Sequence, residues 1–268
     1  MKAPKSNELT PLVDADILVY RLGFAAAQDE PIEHTLHTVK LYLHNITEPF
    51  RQSRAELYLT GKENFRNKVA TIRPYKGNRA DKPKPQYYEL IREYLIGVHG
   101  AFVVDFQEAD DALGIRQMEL RGTSVIVSID KDLDMIPGWH YRFTDQELYY
   151  VDKLSADRNF FKQVLTGDIT DNIPGIMGMG PKTAEKILAQ ADDPHGWLDL
   201  VVEEYKKGYK DKWESALNEM MQLLWIRRKQ EELCPWVAAS SRASPSSNRK
   251  ASKLPSPPTE SLESVTQS

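Results

Sequence analysis

Short apolar runs alternate with helical patterns along most of the chain, and this alternation constrains the fold more than any other feature. The β-like runs are Leu12–Val13 with its neighbours, Glu56–Leu59, Phe102–Phe106 and Val125–Ile129. A helix is predicted after the first run, because apolar residues recur at spacings of three and four from Ile32 to Ile46. Strands that alternate with helices are typical of an α/β fold, in which helices flank a central, mostly parallel sheet.

The second half of the chain has mainly helical patterns. A helix from Asp157 to Thr166, with Asp157 as its N-cap, precedes a glycine-rich stretch from Gly167 to Gly180. Pro181 then begins a helix that ends at Leu188, since the first helical position favours proline. Helical patterns continue from Trp197 to Trp225. The order helix, glycine-rich loop, helix predicts a separate helical subdomain.

These patterns divide the chain into four predicted segments. They are an N-terminal extension (1–10), an α/β domain (11–154), a helical subdomain (155–237) and a tail (238–268). The tail contains ten Ser and four Pro and lacks aromatic residues. It therefore cannot bury enough apolar surface to offset the entropy of ordering, and we expect it to be disordered.

Composition and cysteine count exclude several classes of protein. A chain of 268 residues that is 41% hydrophobic can form a core without disulfide bonds. Cys234 is the single cysteine, so the chain cannot form an internal disulfide or a Cys-x-x-Cys zinc site. The sequence lacks the apolar region of a signal peptide and any run of 18 apolar residues. A cytoplasmic protein that does not enter a membrane is predicted.

Charge is distributed unevenly along the chain. The net charge is −4, yet residues 62–84 contain eight Lys or Arg and only two acidic residues, a net charge of +6. A local cationic segment in an acidic chain fits a phosphate-binding surface beside a carboxylate metal site. A solvated basic loop would explain the same charges equally well.

Carboxylates follow three of the predicted strands. These residues are Asp14, Glu108, Asp110, Asp111, Asp130 and Asp132. Because sites in open α/β sheets assemble at the carboxyl ends of strands, we expect these groups to converge. Neighbouring carboxylates repel one another unless a cation holds them ionised, and Mg²⁺ or Mn²⁺ prefers oxygen ligands. Each of these acidic motifs, taken alone, could instead be a solvated helix start or a loop. Asp16, two residues after Asp14, could be a supporting ligand, an N-cap or an exposed residue.

Five motifs follow one another along the chain. They are Val13-Asp-Ala-Asp16, Tyr75-Lys-Gly-Asn-Arg79, Glu108-Ala-Asp-Asp111, Ser128-Ile-Asp-Lys-Asp132 and Gly167-Asp-Ile-Thr-Asp-Asn-Ile-Pro-Gly175. In this order they resemble the phage-type 5′–3′ exonucleases and the 5′ nuclease domain of bacterial DNA polymerase I, and the resemblance covers about residues 10–230. The resemblance implies a PIN-like 5′ nuclease fold with a helix–three-turn–helix subdomain.

The resemblance also implies a larger metal cluster. Its members would be Asp14, Glu108, Asp110, Asp111, Asp130, Asp132, Asp168 and Asp171, holding two Mg²⁺ or Mn²⁺ ions. One departure from the family is visible: Gly61 stands at about the place where an aspartate is common after the second strand. That ligand is therefore absent here, which bears on the occupancy of one metal.

Further residues receive roles from the same resemblance. Lys76 and Arg79 would contact the scissile phosphate, and Tyr75 would stack on a terminal base or lie in the core. The segment from Arg79 to Tyr88 would form an arch for a 5′ single strand. The glycine-rich loop would bind the duplex backbone and K⁺, through Gly175, Gly178, Gly180, Lys182 and Lys186.

The function implied is two-metal hydrolysis of phosphodiester bonds in DNA replication or repair, with Asp130 central to catalysis and products that carry a 5′ phosphate. Expected substrates are DNA with 5′ ends, flaps or nicks, or RNA–DNA hybrids, bound by a monomer. Two alternatives remain. A PIN-type ribonuclease shares strand-end carboxylates but lacks the glycine-rich loop, and a DNA-binding member of the fold with weakened catalysis would account for Gly61.

Overall fold

The computed structural model describes residues 5–237, apart from residues 52 and 80. A six-stranded sheet has the order β3-β2-β1-β4-β5-β6. Neighbouring strands are parallel except for β5 and β6, which are antiparallel. The strands are β1 (Thr10–Asp14), β2 (Glu56–Asn64), β3 (Phe102–Phe106), β4 (Ser124–Val127), β5 (Gly138–Arg142) and β6 (Glu147–Val151). The predicted α/β class with a mostly parallel sheet is confirmed.

Helices cover both faces of the sheet and form the second half of the described chain. They are α1 (Ala15–Ala25), α2 (Ile32–Thr47), α3 (Arg66–Val69), α4 (Tyr88–His99), α5 (Ala109–Glu119), α6 (Lys153–Thr166), α7 (Pro181–Leu188), α8 (Pro194–Tyr209) and α9 (Trp213–Leu224). None of the helices in the described residues is both long and apolar enough to span a membrane.

Alternating side chains of the central strands enter two different cores. Leu12 and Ile126 pack with α5 and with the helices α6, α8 and α9. Val13 and Val125 point to the other face and pack with α1, α2 and α4. Successive side chains of a strand point to opposite faces, so a central strand buried on both sides reads as a continuous apolar run. The helical second half thus shares a hydrophobic core with the sheet.

Three sequence predictions differ from the structure. The strands β5 and β6 were not predicted, because their sequences mix aromatic with charged residues. The helix predicted to begin at Asp157 begins at Lys153 and is capped by Asp152, which accepts a 2.9 Å hydrogen bond from the Ser155 amide. Asp157 is instead buried and paired with Arg228 at 2.8 Å.

The predicted segments lie only partly within the described residues. The boundary at 154/155 falls inside α6. The N-terminal extension overlaps β1 at Thr10, and residues 1–4 of it lie outside the described residues. The tail predicted to be disordered, 238–268, also lies outside them.

The glycine-rich stretch folds into a compact turn before α7. Asp168 and Ile173 pair in an antiparallel bridge, and Gly167 and Gly175 face each other at its base. Both glycines have positive φ, +71° and +58°. A Cβ on Gly175 would lie 2.3 Å from the Gly167 nitrogen, so the turn closes only if these positions lack side chains. The helix that follows has the predicted bounds, with Pro181 in its first turn.

We predict that Gly175→Ala destabilises the protein more than Gly178→Ala. Both positions have positive φ, which costs a residue with a Cβ about 1–2 kcal/mol. A Cβ on Gly178 meets open space, whereas one on Gly175 collides with backbone, which adds about 1–3 kcal/mol. Urea unfolding of both variants measures the difference, and equal losses would contradict this account of the turn.

Candidate active site at the carboxyl ends of the strands

Most of the predicted acidic residues lie around one cleft at the carboxyl ends of the parallel strands, with Asp14 and Glu108 beside Asp110 and with Asp111 apart from the others. Asp14 is the last residue of β1, while the Glu108 motif and the Asp130 motif follow β3 and β4. The Asp168–Asp171 turn lies across from them, after α6. The cleft has a volume of about 1110 Å³, and its walls include Asp110, Asp130, Asp132, Asp168, Asp171, Lys76 and Arg79. The fold therefore unites motifs that are more than 150 residues apart in sequence.

Asp14, Asp110 and Asp130 form one group of mutually repelling carboxylates. Burial, and then the charges of Asp16 and Asp130, raise the pKa of Asp14 to about 7. Burial and the charges of Asp14 and Asp130 raise the pKa of Asp110 well above its usual range. The Ser128 hydroxyl donates a 3.1 Å hydrogen bond to Asp14 Oδ2, which only partly offsets these effects. Three acids this close favour a bound cation.

Asp132 belongs to a second acidic group, with Asp130 and Asp168. Burial, and then the charges of Asp130 and Asp168, raise the pKa of Asp132 to about 7. Asp168 Oδ1 accepts a 2.7 Å hydrogen bond from the Thr170 amide. This bond holds the Asp168 carboxylate at the start of the turn, on the side of the cleft opposite β4.

Glu108 lies between cations and has a different electrostatic environment. Lys76 Nζ contacts Glu108 Oε1 directly, and Arg66 Nη1 lies 3.4 Å from Oε2. Burial raises the pKa of Glu108, but the Arg66 and Lys76 charges outweigh burial and hold it below its usual value. Glu108 therefore stays ionised in spite of its burial.

Tyr75 and Lys76 connect Glu108 to Asp171. The Tyr75 hydroxyl lies 2.7 Å from Glu108 Oε2 and 2.8 Å from Asp171 Oδ2, and Lys76 Nζ lies 3.6 Å from Asp171. Burial and the Glu108 charge raise the pKa of Tyr75, so its hydroxyl keeps its proton for one of these acceptors. The ring packs at the margin of the core. Tyr75 is thus held as part of the acidic network, and the alternative of a base-stacking platform gains no support from these contacts.

The loop from Pro74 to Arg79 is clamped to the Asp168–Asp171 turn. The Lys76 amide donates to the Asp171 carbonyl at 2.9 Å. Arg79 Nε donates to the Thr170 carbonyl at 3.0 Å, and Arg79 Nη2 pairs with Asp171 Oδ1 at 2.8 Å. Lys76 has φ of +53°, a strained conformation for a residue with a side chain. Two cations are thereby fixed at the mouth of the acidic cleft.

Asp111 is not placed with the other acids. Its side chain is fully buried, and Arg66 binds it through two hydrogen bonds of 2.6 and 3.0 Å. The Glu108 amide at 3.1 Å and the Arg227 amide at 3.0 Å donate to it as well. Four donors satisfy both oxygens, so the predicted role of Asp111 as a metal ligand has no support in the structure.

Arg66 was missed from the sequence, where it appears only as one of eight cations in the basic segment. It is buried, and besides Asp111 it donates to the Leu223 carbonyl and to the Trp225 carbonyl, both at 2.8 Å. These carbonyls lie at the C-terminal end of α9. Arg66 therefore ties the start of α5, which carries the acids, to the helical second half. No pattern of spacing or charge distinguishes such a buried arginine from its exposed neighbours.

Asp16 is neither an N-cap nor an exposed residue. It accepts a 3.0 Å hydrogen bond from the Thr60 amide and pairs with Arg92 at 3.1 Å. Asp14 occupies the N-cap position of α1 instead. These contacts join α1 to β2 and α4, so Asp16 has a structural role on the rim of the site.

The position of Gly61 is explained by its neighbour in the sheet. A Cβ on Gly61 would lie 2.1 Å from Asp105 Oδ1, and the same oxygen accepts a 3.1 Å hydrogen bond from the Lys62 amide. The space for a side chain at position 61 is therefore filled by the Asp105 carboxylate of β3. A side chain at 61 would require Asp105 to move.

The donor set suits a hard divalent cation. The buried or partly buried acids offer oxygen atoms, and they destabilise one another when ionised together. Among the described residues, no three Asp, Glu, His or Cys side chains converge closely enough to ligate one ion as they stand. The acids are thus neighbours whose chemistry fits a metal, while their side chains are not in a ligating arrangement.

The predicted phosphate-binding residues around α7 divide into two kinds. Gly175 is buried and closes the turn, so the predicted contact of Gly175 with DNA has no support in the structure. Gly178 and Gly180 lie at the surface before α7. Lys182 and Lys186 are exposed, and neither side chain has a hydrogen bond or ion pair with another described residue. The acid between them, Glu185, is bound by Arg158 and Lys162.

The chain is similar in sequence to proteins of the kind that the five motifs indicated. The chain is 29% identical over 230 residues to DNA polymerase I of Bacillus subtilis, covering 76% of this chain and 26% of the relative. It is 33% identical over 130 residues to flap endonuclease Xni of a Shewanella strain, covering 42% of this chain and 49% of the relative. The chain thus spans between a quarter and a half of these relatives. No protein-family model matches it.

A solved structure decides the fold. The T5 D15 protein, crystallised with metal ions, superimposes with a TM-score of 0.60 at 16% identity, covering 87% of this chain and 92% of that chain. The chain has the 5′ nuclease fold. The resemblance predicted from the five motifs is confirmed.

We predict that Arg66→Met lowers the free energy of unfolding by about 3–5 kcal/mol, because it leaves Asp111 buried without its countercharge. Arg116→Met is the matched control. Its pair with Glu56 at 2.8 Å is partly exposed, so about 1 kcal/mol or less is expected.

The double variant R66M/D111L tests the cause in the same urea unfolding experiments. It removes both charges and should recover much of the stability that R66M loses. A loss below about 1 kcal/mol in R66M would contradict a central role for the pair.

Proposed function

We propose that this chain is a metal-dependent 5′ nuclease that hydrolyses phosphodiester bonds in DNA, as a 5′–3′ exonuclease or flap endonuclease. The observation that carries the proposal is the acidic cleft at the strand ends, with two fixed cations at its mouth and an exposed basic helix beside it. The fold is shared with the T5 D15 flap endonuclease, which has been solved in complex with DNA and metal ions.

The acids that would hold divalent cations, Mg²⁺ or Mn²⁺, are those whose pKa values rise through burial and mutual repulsion, their neighbours on the cleft wall, and Glu108, which lies beside Asp110. We assign Asp14, Glu108, Asp110, Asp130, Asp132, Asp168 and Asp171 to this role and leave Asp111 out. Such ions, when bound, supply Lewis acidity at the scissile phosphate and its attacking water. The absence of a side chain at Gly61 is compatible with activity, because the remaining acids surround the cleft.

Lys76 and Arg79 would bind the phosphate that is cleaved. Both side chains reach the cleft and are held there by Asp171, with Lys76 also held by Glu108. Burial opposes the charge of Lys76, but Glu108 and Asp171 outweigh burial and raise its pKa, so it carries a proton at neutral pH. A fixed positive charge at this point stabilises the negative charge that develops in the transition state.

The α7 end of the cleft would bind the duplex through its phosphates. Gly180 and Pro181 line the cleft, so the N-terminus of α7 faces the same space as the acids. The N-terminus of α7 and the exposed side chains of Lys182 and Lys186 suit phosphate oxygens. This arrangement favours a DNA nuclease over the PIN-type ribonuclease alternative, and it predicts recognition without sequence preference.

We predict that the protein cuts 5′-flapped and nicked duplexes in Mg²⁺ but not in EDTA, and that Asp130→Ala removes cutting while duplex binding persists. Asp134→Ala is the control. Asp134 lines the same cleft, but it accepts a 2.6 Å hydrogen bond from the Tyr149 hydroxyl and is not one of the acids assigned to the metal ions. The variant should retain activity within about tenfold. The assay measures end-labelled product lengths.

Two outcomes of that assay would contradict the assignment. One is cleavage that persists in chelator, and the other is full activity of D130A. A D130A protein that cuts nothing and binds nothing would be a folding failure, so its thermal unfolding is measured beside the assay.

We further predict that Lys182→Ala weakens duplex binding equally across sequences. Loss of one phosphate contact should reduce the slope of log K against log salt by about 1. Lys207→Ala is the control, since Lys207 lies on α8 and pairs with Glu204 at 2.6 Å. Fluorescence anisotropy over a salt series measures both, and an unchanged slope in K182A would exclude α7 from the interface.

A further inference from the structure

A second cavity of about 820 Å³ lies where the described part of the chain ends. We call it the tryptophan pocket. It shares no lining residue with the acidic cleft. Its apolar wall consists of Ile115, Met118, Pro137, Trp225, Pro235 and Trp236. A cavity of this size with two indole rings in its wall is large enough for several apolar side chains of a peptide.

The rim of the tryptophan pocket carries unpaired positive charge. Arg121 and Lys229 are exposed, and neither side chain forms a hydrogen bond or ion pair with another described residue. The acids of the wall are already engaged. Asp157 binds Lys153 and Arg228, Glu232 accepts from the Trp225 indole and the Arg228 amide, and Glu119 pairs with Arg116. The pocket therefore favours an occupant that is apolar and acidic.

Two buried donors in the wall of the pocket also lack acceptors. The indole nitrogen of Trp236 and Nε of Arg228 have no hydrogen-bond partner among the described residues. Buried donors are nearly always paired in folded proteins. Both atoms are covered by neighbouring groups, so an occupant that brings carbonyl or carboxylate oxygens would reach them only after the Trp236 or Arg228 side chain shifts.

The chain itself contains one segment with the required chemistry. After Val237 the sequence continues for 31 residues, and its only acids are Glu260 and Glu263. Its bulky apolar residues are Leu254, Leu262 and Val265. Two of these three therefore lie within the same six residues as both acids. The region around Leu254 contains prolines but follows Arg249, Lys250 and Lys253, whose charges Arg121 and Lys229 would repel.

We propose that residues 260–265, Glu-Ser-Leu-Glu-Ser-Val, dock in the tryptophan pocket of the same chain. Leu262 and Val265 enter between Trp225 and Trp236, and the two glutamates face Arg121 and Lys229. Leu262 and Val265 are three apart, so one turn of helix would present both on one face.

Chain length allows this docking. The wall residues Pro235 and Trp236 directly precede Val237, so the connection 238–259 starts at the pocket. By random-chain statistics, 22 residues span roughly 25 Å root-mean-square, so the connection is long enough to return to its origin. Tethering at this length gives an effective concentration on the order of millimolar, so even a weak contact is populated.

The test uses the full chain with ¹⁵N-labelled tryptophan and follows the indole N–H resonances of Trp225 and Trp236. In Leu262→Ser/Val265→Ser both resonances should shift. Adding a synthetic peptide of residues 258–268 to this variant should return them toward their original positions. The matched control is Leu254→Ser, which removes the other bulky tail residue and should shift neither. Trp213, which does not line the pocket, is the internal reference.

A variant with reversed charges on the rim of the pocket tests the role of Arg121 and Lys229. Arg121→Glu/Lys229→Glu should weaken binding of the 258–268 peptide by about threefold to tenfold, the effect of one or two exposed ion pairs. Unchanged resonances in L262S/V265S would overturn the proposal. Shifts caused by L254S would do so as well, because they would assign the pocket to the proline-rich segment. Resonances that change with protein concentration would assign it to a second copy of the chain.

Discussion

The buried pair of Arg66 and Asp111 is the interaction on which the site depends. Asp111 accepts four hydrogen bonds at the first turn of α5. Arg66 donates two of them and also donates to carbonyls at the end of α9. Each partner alone would be an uncompensated charge in the interior, so the two hold their elements together. Because Glu108 and Asp110 begin the same helix, the pair also fixes where these acids stand relative to the helical second half. One aspartate of the Glu-Ala-Asp-Asp motif thus anchors the position of its neighbours.

Electrostatics divides the acids of the cleft into two classes. Glu108 stays ionised because Arg66 and Lys76 flank it, and Lys76 also contacts Asp171. Among the described residues, Asp14, Asp110 and Asp132 have no ion pair with a cation, and burial with mutual repulsion raises their pKa values. The first class keeps its geometry with the help of protein cations. The second class is a site for added positive charge, and a divalent ion supplies it in a form that also binds phosphate oxygens.

Sequence patterns predicted the sheet and most of the cleft for a physical reason. Strands buried on both faces are continuous apolar runs, and parallel strands end at one edge, so the acids after β1, β3 and β4 had to meet. The pairing of Tyr75 with Glu108 and Asp171, and the burial of Arg66 and Asp111, depend on side-chain packing between distant segments, which no local spacing encodes. Likewise, β5 and β6 have mixed compositions, and their pairing with neighbouring strands of the sheet stabilises them as strands. Asp168 and Asp171 were placed by family resemblance alone, since their spacing equally suits a turn.

The shared core has a mechanical consequence. Leu12 and Ile126 of the sheet belong to the same cluster as Phe160, Val201 and Met220 of the helical half. The hydrogen bonds of Arg66 join the sheet side to the helical half at the same interface. Within the described residues, the turn before α7 and the acids at the strand ends are therefore held in place by one continuous core. In the proposed nuclease, this packing would set the distance between the duplex-binding surface and the cutting site, and the length of the released piece would depend on where the duplex begins.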